Sequence, residues 1–310
     1  MRLWMALSLA ALLFLLGAGL NPAAADETGA GAPAQPAGNS QDARRAEAKA
    51  AFEAAMAAAS KGPADIPFLA QATLKLPAGL VFVPVTQSNR LMRAWGNSAG
   101  GDGFVGLVFS TDTQEDWFIT ASYVDAGYVK DAEAKNWDTD ALLKNSVDGV
   151  AADNEDRAAR GFGKIKVDGW IEKPAYDASQ HRLIYSLALS DIDAKPGDET
   201  SVNFHTYALG REGYFALDLV TGSNSIDRYK DRARTVLAAL EYKPGKGYGD
   251  YVASTDRVAE YGIAALIGGL AAKKLGLLAL GGLAIAKFGK LIALGALGLF
   301  GGAARFFRRK

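Results

Sequence analysis

Residues 261–304 run for 44 positions without one Asp, Glu, Asn, Gln, Ser, Thr or Pro, interrupted only by Lys273, Lys274, Lys287 and Lys290. A helix on the surface of a soluble domain needs a polar face, which four lysines cannot supply. The lysine-free run 275–286 is only twelve residues long, short of the ~20 that cross a bilayer, so a single span must carry Lys287 and Lys290 with it. Burial of a lysine there is costly unless it snorkels or meets a partner. The sequence predicts one transmembrane crossing over about 275–300, within an anchor at 275–304. That crossing leaves the basic end, 305–310, in the cytoplasm and Lys273 and Lys274 near the opposite interface. Two alternatives stand beside it. A hairpin turning near 287–290 buries Lys273 and Lys274 in mid-span and returns the end to the side of the body, and a helix lying in the interface crosses nothing. Eleven glycines from Gly262 to Gly302, with a Gly298-x-x-x-Gly302 spacing, allow close helix contact.

Charge divides the chain at the same place. Eight of the 34 basic residues and none of the 34 acidic ones follow Glu260, so a tail of +8 is attached to a body of −8. An acidic body argues against a nucleic-acid partner, and a basic apolar tail argues for the lipid bilayer as the tail's partner. At the other end Arg2, an apolar run from Leu3 to Leu20 and Ala23-Ala24-Ala25 before Asp26 form the pattern of a secretory signal peptide over residues 1–25. The body is therefore expected outside the cytoplasm, in a single-pass protein of the cell membrane, periplasmic where the cell has an outer membrane. The absence of cysteine excludes disulfides, thiolate catalysis and Cys-ligated metals.

Between signal and anchor the chain divides by composition. Residues 26–40 are rich in Pro, Gly and Ala and read as a flexible linker. Residues 41–61 are dominated by alanine and other strong helix formers and stop at Gly62-Pro63. A helix with so little to bury reads as a lever or spacer. The exported domain follows at 62–245, then a juxtamembrane segment at 246–274. In the domain, ATLKLPAGLVFVPV reads as two strands broken at Pro77-Ala78-Gly79, and SNRLMRAWG as a short helix with Leu91, Met92 and Trp95 inward. FVGLVFS and DWFITASYV have strand composition. A helix follows, capped by Asp138 or Thr139, with Leu143, Val147, Val150 and Ala151 on one side. Four strand candidates come in succession, GKIKVDGWI, HRLIYSLALSD, SVNFHTYAL and GYFALDLVT, and then a helix with Ile226, Tyr229, Ala233, Val236, Leu237 and Leu240 inward. Strands in runs between helices predict an α+β fold with a largely antiparallel sheet packed with helices, plus the C-terminal transmembrane helix.

The elements LPAGLVFVPV, a helix ending in AWG, GWIEKPAYDASQHRLIYSLAL and HTYALGREGYFAL, in this order and with an apolar tail behind them, resemble the bacterial membrane-anchored proteins grouped as the domain of unknown function 2167 (DUF2167). The likeness covers roughly residues 70–304, and GW-x-x-x-P-x-YD and LGR-x-G are its most specific parts. It implies a signal peptide, an exported domain and a C-terminal anchor, and it implies no activity and no catalytic residue. The element order is also similar to the PsbP and Mog1-like α/β/α sandwiches.

Chemistry is sparse. His181 and His205 are the two histidines, which excludes a multi-histidine metal site, and no catalytic or nucleotide-binding motif is present. Neither a cofactor nor a metal site is expected. One constellation stands out. If Gly210 to Gly213 turn a hairpin, Leu209 opposes Tyr214, Tyr207 opposes Ala216 and His205 opposes Asp218, close enough for a hydrogen bond on the face shared with Asn203 and Tyr207. An oriented histidine is what a general base needs, although a structural pair on a solvated sheet face is the commoner case. Trp170, Pro174, Tyr176 and Asp177 read as a packed turn between strands, so Trp170, Tyr176, Asp177, Asn203 and Tyr207 are the binding candidates and His205 and Asp218 the catalytic ones. The acidic clusters 153–157 and 191–199 do not fit a calcium loop. The favoured reading is a non-enzymatic binding or adaptor module for an envelope protein or ligand. The alternatives are an envelope hydrolase using His205 and Asp218, and a membrane-active stress protein acting through its tail.

Overall fold

A computed structural model describes residues 37–269 apart from 96, 98–99, 160–162, 196 and 199. The chain enters as helix α1 (Ala37–Ala58), followed by strands β1 (Ser60–Lys61), β2 (Ala64–Phe68), β3 (Ala72–Leu76) and β4 (Leu80–Pro84), helix α2 (Val85–Ala94), and strands β5 (Phe104–Ser110), β6 (Phe118–Val124) and β7 (Tyr128–Lys130). Helix α3 (Thr139–Ala159) leads into strands β8 (Ile165–Asp177), β9 (Arg182–Asp191), β10 (Ser201–Leu209) and β11 (Tyr214–Gly222), then helix α4 (Ile226–Ala238) and strands β12 (Leu240–Tyr242) and β13 (Val258–Gly262). Eight strands form one antiparallel sheet in the order β1-β4-β5-β6-β11-β10-β9-β8. A second sheet has the order β12-β3-β2, and β13 pairs with β7 in parallel.

Both faces of the large sheet are covered, which is why β5 is apolar almost throughout instead of alternating. On one face Ile119, Ala121, Phe204, Phe215, Leu217 and Leu219 pack against the small sheet and α4. Helix α4 turns Ile226, Tyr229, Ala233, Val236 and Leu237 inward, the stripe its periodicity predicts, while Leu240 falls in β12. The other face carries two apolar clusters. One gathers α1 and α2 over β4, β5 and β6, with Trp95, Phe109 and Phe118 at its centre. The second lies over β9 and β10, where Leu142 of α3 and the 3-10 helix Ile263–Gly269 meet Leu183, Tyr185, Leu187, Tyr207 and Leu209. Full burial of a side chain of this size contributes about 1.5–3 kcal/mol.

Four expectations are corrected. Helix α1 is not a free lever: Ala51 and Ala55 are fully buried, Phe52 meets Phe109 edge-on at 6.3 Å, and Arg90 of α2 grips Glu47 through two bonds of 2.9 and 3.0 Å. Its alanines allow close approach instead of marking an idle surface. Helix α3, capped by the Asp138 carboxylate on the Asp140 and Ala141 amides, is rotated from the expected face. Leu142, Ser146 and Asn154 are buried and Val147 is exposed, and the Asn154 amide exchanges two hydrogen bonds with the Ile165 backbone at the start of β8. Trp170, Pro174 and Tyr176 do not form a turn; β8 runs through them to Asp177, with register shifts after Val167, Trp170 and Glu172. The segment expected as a juxtamembrane connector, 246–274, is in its described part built into the fold. Tyr248 donates to the Val129 carbonyl at 2.8 Å, and Tyr261, Ile263, Leu266 and Ile267 are buried.

The expected signal peptide, the linker up to residue 36 and the anchor at 275–304 lie outside the described residues. No helix among the described residues is long and apolar enough to cross a membrane.

Candidate functional site

Two places concentrate polar chemistry. The first is a seam on the large sheet between the two apolar clusters. The Gly210–Gly213 turn sets the hairpin register expected from the sequence, His205 against Asp218, Tyr207 against Ala216 and Leu209 against Tyr214. His205 Nδ1 lies 2.8 Å from Asp218 Oδ1, and both side chains are 18% exposed, so water reaches the pair. Tyr185, opposite His205 on β9, stacks on the imidazole with centroids 4.6 Å apart, while Thr120 faces Asp218 from β6. The carboxylate engages Nδ1 and fixes the ring, so Nε2 is the nitrogen left for another partner. Tyr207 is buried behind this pair; its hydroxyl lies 3.3 Å from that of Tyr185, and both reach the Leu266 carbonyl, at 3.4 and 3.0 Å. Burial pushes the Tyr207 phenol well up, so it holds the 3-10 helix in place as a neutral donor. Asn203 is buried in the next row, opposite Val220 and Leu187.

Of the remaining candidates, Trp170 reaches the seam only through Tyr185, and Tyr176 and Asp177 bond elsewhere. Trp170 leans edge-on against Tyr185 at 5.9 Å and donates to the Thr139 carbonyl at 3.3 Å, tying β8 to α3. Tyr176 donates to Asp131 at 2.6 Å and lies 3.1 Å from His181 Nδ1; burial, then the Asp131 bond, push its phenol up. Asp177 accepts from the amide and hydroxyl of Ser179 and so shapes the turn after β8. These three residues join elements of the fold, and each polar group named is engaged within it.

The second place was not anticipated. Leu209-Gly210-Arg211-Glu212-Gly213 closes the β10–β11 hairpin, and both glycines are dictated by close approach: a Cβ on Gly213 would strike the Val124 carbonyl, and one on Gly210 the Tyr242 ring. The turn presents two charged side chains to the segment behind β12. Arg211 forks onto Asp256, Nε to Oδ2 at 2.6 Å and Nη2 to Oδ1 at 2.8 Å. With the Val252 amide, that guanidinium holds the Asp256 carboxyl well below the usual range. Glu212 accepts from Lys246 at 2.8 Å and from Gln71 Nε2 at 2.8 Å, which lowers its carboxyl too. Arg257 grips Asp125 through the carbonyl at 2.6 Å and Oδ1 at 2.8 Å.

These pairs wall an open cleft of about 340 Å³ that is also lined by Gln71, Tyr123 and Thr255. Tyr123 is only 8% exposed, yet its hydroxyl has no hydrogen-bond partner among the described residues, and neither has the buried Oε1 of Gln71. Burial, then the nearby Asp125 and Glu212, push the Tyr123 phenol up, so it stays protonated. The only sequence signal was the LGR-x-G element. Its partners lie 45 positions away at Asp256 and 141 away at Gln71, beyond any local pattern.

With this geometry in hand, comparison with known proteins places the sequence. A family model described as a protein of unknown function (DUF2167) matches residues 60–298. The chain belongs to the DUF2167 family. The matched range begins at β1 and takes in the seam, the hairpin and the cleft; α1 lies before it. Among solved structures, DUF2167 here is similar to the solution structure of cyanobacterial PsbP (CyanoP) from Synechocystis sp. PCC 6803, at 13% identity and a TM-score of 0.35, over 56% of this chain and 88% of that one. No curated protein matches.

Proposed function

We propose that this DUF2167 chain is an exported protein, held to the cell membrane by residues 275–304, whose domain binds a ligand or envelope partner in the cleft beneath the LGR-x-G hairpin. The observation that carries this reading is how the cleft is built. One wall is the hairpin, and the other is the segment 255–257, which continues through β13 directly into the apolar, basic stretch. Whatever occupies the cleft therefore touches both the sheet and the chain that leads to the membrane, an arrangement suited to an adaptor. The test places a photoreactive phenylalanine analogue at Thr255, on the cleft, and at Lys144, on the exposed face of α3, in the full-length protein in intact cells. A discrete adduct from position 255 and none from 144 is expected; no adduct from 255 would sink the reading. For the tether, external protease should remove the body while a tag after Lys310 stays protected and resists carbonate extraction. Release by carbonate would refute the anchor.

The 2.8 Å His205–Asp218 pair favours a second reading, an envelope hydrolase in which His205 activates water. There Asp218→Asn should abolish turnover and leave folding intact, and a variant as active as the parent would remove this reading.

A further inference from the structure

One turn holds an apolar side chain where the backbone favours glycine. The connection between β2 and β3, Leu69-Ala70-Gln71, is closed by the Gln71 amide on the Phe68 carbonyl at 3.3 Å, and Leu69 has a φ of +55°. Among the described residues the other non-glycine with positive φ is His181, whose ring is packed: it stacks on Tyr248 at 4.1 Å and meets the Tyr176 hydroxyl at 3.1 Å. Leu69 is instead 50% exposed. The turn therefore bears both a left-handed backbone and an apolar side chain in water, and glycine would avoid the two together. Strain of this kind points to a residue kept for what its side chain meets. A cation stands beside it. Lys243 Nζ donates to the Leu69 carbonyl at 3.3 Å, and no carboxylate among the described residues pairs with that ammonium. The Lys243 amide bonds the Gln71 carbonyl at 2.9 Å, and Gln71 lines the cleft, so Leu69 and Lys243 lie next to it.

We propose that the β2–β3 turn is a membrane-contact tip, with Leu69 entering the apolar margin of the bilayer and Lys243 meeting headgroup phosphates. This rests on reading 275–304 as the tether. The length of the connecting chain decides for the bilayer as occupant. The Leu266 carbonyl is bonded by Tyr207, three residues before Gly210 and so about 10 Å along β10 from the hairpin whose Glu212 holds Gln71. Residues 270–275 span at most about 21 Å, so this end of the domain is within reach of the surface that the tether enters, and the domain cannot leave that surface. A contact held so close needs little affinity of its own. Helix α3 packs beside the same 3-10 helix but exposes Asp138, Asp140, Asp148 and Glu155 against Lys144 and Arg157, a surface that anionic headgroups repel. A partner taken up in the cleft is then one that reaches the membrane surface.

The chain has no cysteine, so a bimane label on Ala70→Cys, next to Leu69, or on Lys49→Cys, on the exposed side of α1, is unique. The full-length protein would be placed in vesicles of phosphatidylcholine and phosphatidylglycerol, with and without a spin-labelled phosphatidylcholine as quencher. Quenching at position 70 and none at 49 is expected. Leu69→Asn tolerates the left-handed turn and removes the apolar surface, so it should abolish the quenching at 70 without lowering the melting temperature. Lys243→Ala should weaken the quenching. The proposal is overturned if position 70 is quenched no more than 49, or if Leu69→Asn is quenched like the parent. A discrete protein adduct from a photoreactive group at position 69, without quenching at 70, would put a protein where the bilayer is expected and overturn it too. Carbonate extraction of the same vesicles separates this from the tether: protein retained but unquenched sinks the tip and leaves the tether standing, whereas protein released sinks both.

Discussion

Two tyrosines against one phenylalanine give the sharpest check on this account. Tyr123 and Tyr242 both pack on Phe215, with ring centroids 4.9 and 5.6 Å from it, so their rings lose comparable apolar contact on unfolding. They differ at the hydroxyl. That of Tyr242 donates to the Ala208 carbonyl at 2.7 Å, and that of Tyr123 is buried without a partner. Removing a made hydrogen bond and stranding its acceptor costs about 1–2 kcal/mol. Removing a stranded hydroxyl relieves a desolvation cost and forfeits no bond, so Tyr123→Phe should be between zero and about 1 kcal/mol more stable than the parent. The two variants should thus lie about 2 kcal/mol apart, or roughly 4–8 °C in melting temperature for a domain of this size. Urea unfolding of the full chain in detergent, followed by tryptophan fluorescence, measures both, and an unchanged m-value shows that stability alone has moved. A Tyr123→Phe variant destabilised by more than about 1 kcal/mol would mean that the hydroxyl has a partner and would refute this reasoning.

Three further outcomes follow from named contacts. Ala55→Leu should cost about 1–3 kcal/mol, since Ala55 is fully buried where α1 meets the sheet; a spacer helix would tolerate the change, so an unaltered urea midpoint would restore that view. Asp256 has its folded-state pKa lowered, so its contribution is present above the unfolded value and is lost as pH falls through the folded one. The stability gap between the parent and Asp256→Asn should therefore hold from pH 7 to about pH 4 and close below it, and a gap that is constant at lower pH would exclude the Arg211 clamp as its source. His205→Ala and Asp218→Ala, combined in a double-mutant cycle, should show a coupling of about 1 kcal/mol from their 2.8 Å contact, and strictly additive effects would remove the pair as an interaction.

What could be read in advance was local. The β10–β11 register followed from counting outward from the Gly210–Gly213 turn, and the buried stripe of α4 from helical spacing. Misreadings arose where tertiary contact overrode composition. Alanine in α1 signals close packing only once a sheet lies beneath it, and the polar Asn154 of α3 is buried because the Ile165 backbone meets both ends of its amide. Pro174 suggested a turn, yet it sits on the outermost strand, inside the register shift between Glu172 and Ala175, where a missing N–H is tolerated. The cleft joins Gln71, Tyr123, Arg211 with Glu212, and Asp256 from four separate places in the chain, so no window of sequence could have held it.

The borders of the large sheet are both unsuited to growing by another strand. One border is β8, broken by three register shifts, interrupted by Pro174 and carrying Lys166 and Lys173; Arg234 of α4 reaches across to Glu172 at 2.5 and 2.6 Å. The other is β1, two residues long and followed at once by Gly62-Pro63. Neither offers the unbroken row of amides and carbonyls on which an incoming strand templates itself. Augmentation of the large sheet by a peptide, or by a second molecule laid edge to edge, is thereby disfavoured at both of its ends.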